Sequence, residues 1–226
     1  MNKKIIFNFI FLLLSFTLTQ ILKSKEKQTY PNVNIQNANH VTIKFVQKVQ
    51  PQIYAEFGVS LGATTLKIAK ILPANSKIYL FDFHEIVNNV KNKLLKIGYR
   101  NIHAIGNSYK LRDSYNWSLM NLIEKHEKPI FDYVFLDGMH TWETDGFAFF
   151  LIDKLLKTGG YIDFDDYNWT LFRSPTLSPK VFPFMAELYT VKQMKTKSIK
   201  KIIELLVRKN KNYIEIVKNK IFQKIK

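Results

Sequence analysis

From residue 51 onward short apolar runs alternate with stretches of helical period. Ile53-Tyr54-Ala55-Glu56-Phe57 predicts a strand, and Thr64 to Leu72 a helix that starts after Gly62 and is stopped by Pro73. Lys77 to Phe81 predicts a second strand, Ile86 to Ile97 a helix ended by Gly98, and Asn101 to Ile105 a third strand. Tyr115 to His126 reads as a helix and Phe131 to Leu136 as a fourth strand. Thr144 to Leu156 reads as a helix closed by Gly159-Gly160, and Tyr161 to Phe164 as a fifth strand. Such regular alternation predicts an α/β fold, a parallel sheet with helices on both faces. In such sheets ligands gather at the carboxyl ends of the strands. Residues 28–50 read as a connector and a helix leading into this core.

Ahead of that pattern stands a different one. Lys3 and Lys4 precede an apolar run from Ile5 to Leu22, interrupted by Asn8, Ser15, Thr17, Thr19 and Gln20 and followed by no small-residue cleavage site. Three readings stand open for residues 1–27: a helix docked on its own domain or a partner, a membrane-surface anchor, and a signal or spanning segment. Lysines flank both ends of the run, so no topology is specified.

Charge changes the picture only once it is divided. The net charge is +16, yet residues 51–190 hold 15 basic against 15 acidic side chains. The excess sits at the ends, with 7 against 1 in residues 1–50 and 12 against 2 in residues 191–226. That is not a basic stripe across a catalytic face, so nucleic acid is not the expected partner. With no cysteine, disulfides and thiolate metal sites are excluded. A length of 226 residues suits one domain with appendages. A homo-oligomer is compatible with all of this.

The chemistry-bearing residues fall at the predicted strand ends. Glu56-Phe57-Gly58-Val59-Ser60-Leu61-Gly62 joins a strand to a helix. Gly58 permits a tight turn, and Gly62 lets the helix begin close to an adenosine-bearing cofactor. The spacing is E-x-G-x-S-x-G, with Ser60 where a dinucleotide fold places its middle glycine. Asp82 follows Gly62 by 20 residues, the interval of a strand–helix–strand unit, and can accept both hydroxyls of a ribose or cap a helix. Gly106-Asn107-Ser108 offers short polar groups to an adenine ring, or forms a plain turn.

Asp137 ends the fourth strand with His140 just beyond it, and Asp165 and Asp166 end the fifth. Neighbouring strands lie about 5 Å apart, so the three acids can converge. Close carboxylates repel, and a hard divalent cation such as Mg²⁺ relieves that; the alternative is that some are caps or loop-solvating residues. His140 is placed to serve as a general base toward a substrate hydroxyl. The segment 167–184, with Trp169 and Phe172, follows the fifth strand and reads either as a cover for an acceptor or as a local hydrophobic cluster.

Residues from about 50 to 170 resemble the class I methyltransferases of a small group with an I-D-G-x-H signature. Here it stands as Leu136-Asp137-Gly138-Met139-His140, followed by the Gly159-Gly160 to Asp165-Asp166 strand. The group resembled is that of bacterial metal-dependent O-methyltransferases acting on sugar hydroxyls, and more distantly the catechol O-methyltransferases. The resemblance implies a Rossmann-like seven-stranded sheet with a reversed last strand. S-adenosylmethionine would be held by Glu56, Gly58, Ser60, Gly62, Asp82, Asn107 and Ser108. Mg²⁺ would be held by Asp137, Asp165 and Asp166, with Asp137 and His140 catalytic and a small molecule or saccharide as acceptor. The domain would run over 28–226, its last helix and hairpin within 197–226, with strands at Tyr213 to Val217 and Lys220 to Ile225. A cytoplasmic location is expected, because that cofactor is made and used there. The rivals are a nucleic-acid methyltransferase, whose N-P-P-Y motif is missing after the fourth strand, a nicotinamide-dependent oxidoreductase, and a non-catalytic protein on the same fold.

Overall fold

The computed structural model describes residues 37–110 and 112–226. The apolar run 5–22 lies outside them. Among the described residues no helix is long and apolar enough to cross a membrane.

Seven strands form one sheet in the order β3-β2-β1-β4-β5-β7-β6. They are β1 (Ile53–Phe57), β2 (Lys77–Phe83), β3 (Ile102–Asn107), β4 (Phe131–Leu136), β5 (Leu156–Phe164), β6 (Tyr213–Val217) and β7 (Ile221–Lys224). The first five are mutually parallel, and β7 runs antiparallel to both β5 and β6. The reversed last strand is therefore present. Chain order turns back between β1 and β4, which opens the switch-point crevice at their carboxyl ends.

Both sheet faces are covered, so the central strands read as apolar runs and side chains sort by alternation. On one face Ala55, Phe57, Val134 and Leu136 pack with Phe149 and Ile152 of helix Trp142–Leu155 and with Ile202. On the other face Tyr54, Leu80, Tyr133 and Phe135 pack with Val46 of helix His40–Val49, Ile68 of helix Ala63–Ile68 and Val90 of helix His84–Lys96. Glu56 shares that second face. It is buried, and its Oε2 accepts hydrogen bonds from the Tyr54 hydroxyl at 2.9 Å and the Thr65 hydroxyl at 2.9 Å.

Several boundaries move, each for a local reason. β2 continues through Asp82 to Phe83 and β3 through Gly106 to Asn107, because these residues pair with each other across the two strands. β5 begins at Leu156, so Gly159-Gly160 lies inside a strand rather than closing a helix. Phe131 pairs with Leu156 but Tyr133 with Tyr161, and this bulge is accommodated with Gly159 at φ +86°. The first helix after β1 stops at Ile68, and Lys70 and Ile71 continue it only as three-residue turns. Segment 167–197 carries short helices that the pattern did not predict, Met185–Leu188 and Val191–Lys195. They close a small core in which Trp169, Leu177, Phe182 and Tyr189 pack on Leu171, Met185 and Met194.

Two stability predictions follow from this packing. A Cβ at Gly58, where φ is +80°, would stand 1.9 Å from the Asp137 carbonyl oxygen. Gly58→Ala is expected to lose about 3 kcal/mol or more in chemical denaturation, through strain and collision together. Burial pushes the Glu56 carboxyl up to about 8 against the opposing bonds from Thr65 and Tyr54. The folded chain thus holds a proton there that the unfolded chain has released, and stability falls as pH rises from about 4.5 to about 8. Glu56→Gln, which cannot ionise, is expected to gain about 2 kcal/mol on the wild type between pH 6 and pH 9.

Candidate active site

The turn after β1 is a string of left-handed residues. Gly58 and Gly62 have φ +80°, and Ser60 has φ +44°. Gly58 donates its N–H to the Phe81 carbonyl at 2.8 Å and packs against the Asp137 carbonyl, so it ties β2 and β4 to the end of β1. A Cβ at Gly62 would come within 3.0 Å of the Val90 methyls, so its need for glycine comes from helix packing as well as backbone. Asp82 reaches under the turn. Its carboxylate accepts from the Ser60 N–H at 3.0 Å and the Phe83 N–H at 2.7 Å. Burial raises the Asp82 pKa, and the N–H bonds from Ser60, Phe83 and Val59 oppose that rise. Gly58, Ser60, Gly62 and Asp82 thus lie around one crevice end. Glu56 belongs to the same stretch but points into the core.

Asn107 and Ser108 are committed to a local frame. Asn107 Nδ2 donates to Asp113 at 3.1 Å and to the Ser118 hydroxyl at 3.2 Å. The Ser108 N–H and hydroxyl both donate to Asp113 Oδ2, at 2.7 and 2.6 Å. Asp113, which the sequence pattern did not single out, closes this loop.

The acids of β4 and β5 converge on His140. Its Nε2 stands 3.0 Å from Asp137 Oδ1 and its Nδ1 3.4 Å from Asp166 Oδ2. One donor atom from each of Asp137, His140 and Asp166 lies within 4.8 Å of the others. The third expected acid is engaged elsewhere: Asp165 Oδ1 accepts from Asn39 Nδ2 at 3.0 Å and sits 3.6 Å from Lys220 Nζ. Two carboxylates and an imidazole at this spacing form a donor set that suits a hard or borderline divalent cation. Burial alone would lower the imidazole pKa, but Asp137, Asp145 and Asp166 reverse this and hold His140 raised. Asp137 is raised by burial and by the charges of Asp165 and Asp166, against the bond from His140.

Two residues that build this loop were missed. Asp145 is fully buried on helix Trp142–Leu155 and accepts from the Tyr115 hydroxyl and, at 2.8 Å, from the His140 N–H. The Tyr115 hydroxyl in turn takes the Met139 N–H at 3.2 Å. Together they hold His140 at φ +59°. The available signal was an acid on the apolar face of a helix, beside Gly146, Ala148 and Phe149. Above the loop the Trp169 ring meets the His140 ring edge-on at 5.2 Å. Trp169 is thus both part of the small core of segment 167–197 and a wall of the site.

Residues 55–167, half of the chain, match the family described as Methyltransferase domain. No curated protein matches the sequence. Among solved structures, an O-methyltransferase from Bacillus cereus in complex with SAH is similar at TM-score 0.58 and 16% identity, over 93% of this chain and 90% of that one. An SAH-bound methyltransferase from Podospora anserina is similar at TM-score 0.56 and 15% identity, over 87% and 82%. An rRNA methylase from Streptococcus thermophilus is similar at TM-score 0.52 and 14% identity, over 85% and 99%. These likenesses establish the fold. With the family match across the five parallel strands, including both site strands, they make the chain a member of the Methyltransferase domain family with a class I methyltransferase fold.

Proposed function

We propose that the chain is an S-adenosylmethionine-dependent O-methyltransferase acting on a hydroxyl of a small molecule or a saccharide. The observation that carries this reading is the convergence of Asp137, His140 and Asp166 beside the Gly58–Gly62 turn. Cofactor and acceptor groups then meet at one crevice end. The SAH-bound neighbours support the choice of cofactor.

The turn at Gly58, Ser60 and Gly62 would lie along the cofactor, with Asp82 free to exchange its backbone N–H bonds for ribose hydroxyls. S-adenosylmethionine supplies an electrophilic methyl group when bound. An alcohol is a poor nucleophile at neutral pH and needs a base or a cation beside it. Asp137 and Asp166, with Asp165 at their side, would hold a Mg²⁺ ion, which would supply positive charge beside the acceptor hydroxyl. His140 would take the hydroxyl proton on a ring nitrogen, while Asp145 keeps its backbone fixed from behind. Trp169, edge-on to His140, limits water on that side and offers a wall to the acceptor.

Calorimetry is expected to detect S-adenosylhomocysteine binding and no NAD binding, with Asp82→Ala weakening the former about ten-fold or more, as expected when a bidentate polar contact is lost. NAD binding without S-adenosylhomocysteine binding would overturn the cofactor assignment. Turnover of labelled cofactor with a panel of glycosides and catechols is expected to fall roughly 10²–10⁴-fold in His140→Ala, the usual contribution of a general base. EDTA should remove the same activity and Mg²⁺ restore it; undiminished turnover in EDTA would take the metal out of the reaction.

A further inference from the structure

Lys220 lies on the turn between β6 and β7, remote in sequence from every motif above. Its amine does not range over the surface. Nζ stands 2.9 Å from Asp163 Oδ1 and 3.6 Å from Asp165 Oδ1, donates to the Phe164 carbonyl at 3.2 Å, and sits 5.1 Å above the Phe135 ring. The side chain is 14% exposed. Its backbone is held as well, since the Phe164 N–H donates to the Lys220 carbonyl at 2.9 Å. Asp163 is fully buried and takes further bonds from the Thr42 hydroxyl at 2.7 Å and the Tyr133 hydroxyl at 2.6 Å.

We infer that Lys220 is a positioning residue that sets the affinity of the acid cluster for a divalent cation. The inference rests on the metal reading of the site. A fixed ammonium beside Asp165 has two effects. With Asn39 Nδ2 it holds the Oδ1 atom, which leaves the other oxygen of Asp165 for a ligand. It also places a positive charge next to the carboxylates that would attract a cation, and at this range, in a partly buried setting, that repulsion is large. Lys220 therefore weakens cation binding while keeping Asp165 in place. The site gains a cation that exchanges rather than one held permanently. The lysine is carried on the antiparallel hairpin, so the C-terminal strands take part in the site without contributing a ligand.

The test is Mn²⁺ binding by the full chain, read from the loss of the free-ion EPR signal, with thermal melts run alongside. Lys220→Met alone strands the buried Asp163 and is expected to destabilise the fold. The informative pair is therefore Asp163→Asn against Asp163→Asn/Lys220→Met, because asparagine still accepts from Thr42 and Tyr133. The double variant is expected to bind Mn²⁺ about ten-fold or more tightly than Asp163→Asn. Lys220→Arg, which keeps the charge, is expected to stay within about two-fold of the wild type. Asp137→Asn serves as the reference for loss of the site. If the wild type binds Mn²⁺ and Asp137→Asn does not, but the double variant binds no more tightly than Asp163→Asn, the role of Lys220 is overturned and the metal reading stands. If neither the wild type nor any variant binds Mn²⁺, both are overturned.

Discussion

Where β1 and β4 end, their chains stay in contact. The Asp137 N–H donates to the Phe57 carbonyl at 2.9 Å, and Gly58 leaves no room for a side chain against the Asp137 carbonyl. This close approach sits at the point where the strand order turns back, so two structures are tied to it at once. On one side the chain enters the left-handed turn that leads to Ser60 and Gly62. On the other it enters the loop that carries Asp137 and His140. A spread of even about one or two ångströms here would separate the glycine turn from the acid–imidazole loop. Catalytic groups tolerate little misplacement.

The site is anchored from behind by buried carboxyls, each bonded by a tyrosine. Tyr54 serves Glu56 just before the glycine turn, Tyr115 serves Asp145 beneath the His140 loop, and Tyr133 serves Asp163 just before Asp165 and Asp166. A buried carboxyl without a partner costs several kcal/mol, so each pair is satisfied in one arrangement and poorly in others. These pairs fix the three segments that converge at the crevice. They also explain why the strands carry acids: Glu56 in β1 and Asp163 in β5 point into the protein, while Asp137 and Asp166 lie past the last paired residues and meet at His140.

Charge balance at the site comes from within the chain. His140 stands between Asp137 and Asp166, and Lys220 between Asp163 and Asp165. An imidazole in that position is a hydrogen-bond donor first. Both ring nitrogens face a carboxylate oxygen, so in the proposed reaction a cation taking up those carboxylates would free the imidazole to act as a base.

The sequence by itself determined the alternation of strands and helices, because burial on both sheet faces demands continuous apolar runs that pattern alone reveals. β1 and β4 appear at Ile53–Phe57 and Phe131–Leu136, as the pattern predicts. It also determined which residues end the strands, since Gly58, Asp82, Asp137 and Asp165-Asp166 interrupt or close those runs. Tertiary structure decided where each of those side chains points. Glu56 and Gly58 are two residues apart, yet one serves the core and the other the crevice, because β1 ends at Phe57 and Gly58, at φ +80°, already belongs to the left-handed turn. Asp165 and Asp166 are adjacent, yet one faces Asn39 and Lys220 and the other His140. Lys220 and Asn39 carry no motif; they reach the site only because helix and hairpin packing bring distant residues together. Such long-range contacts leave no periodic trace in the chain. The register shift at Gly159 is of the same kind, set by pairing with β4 and invisible in β5 alone.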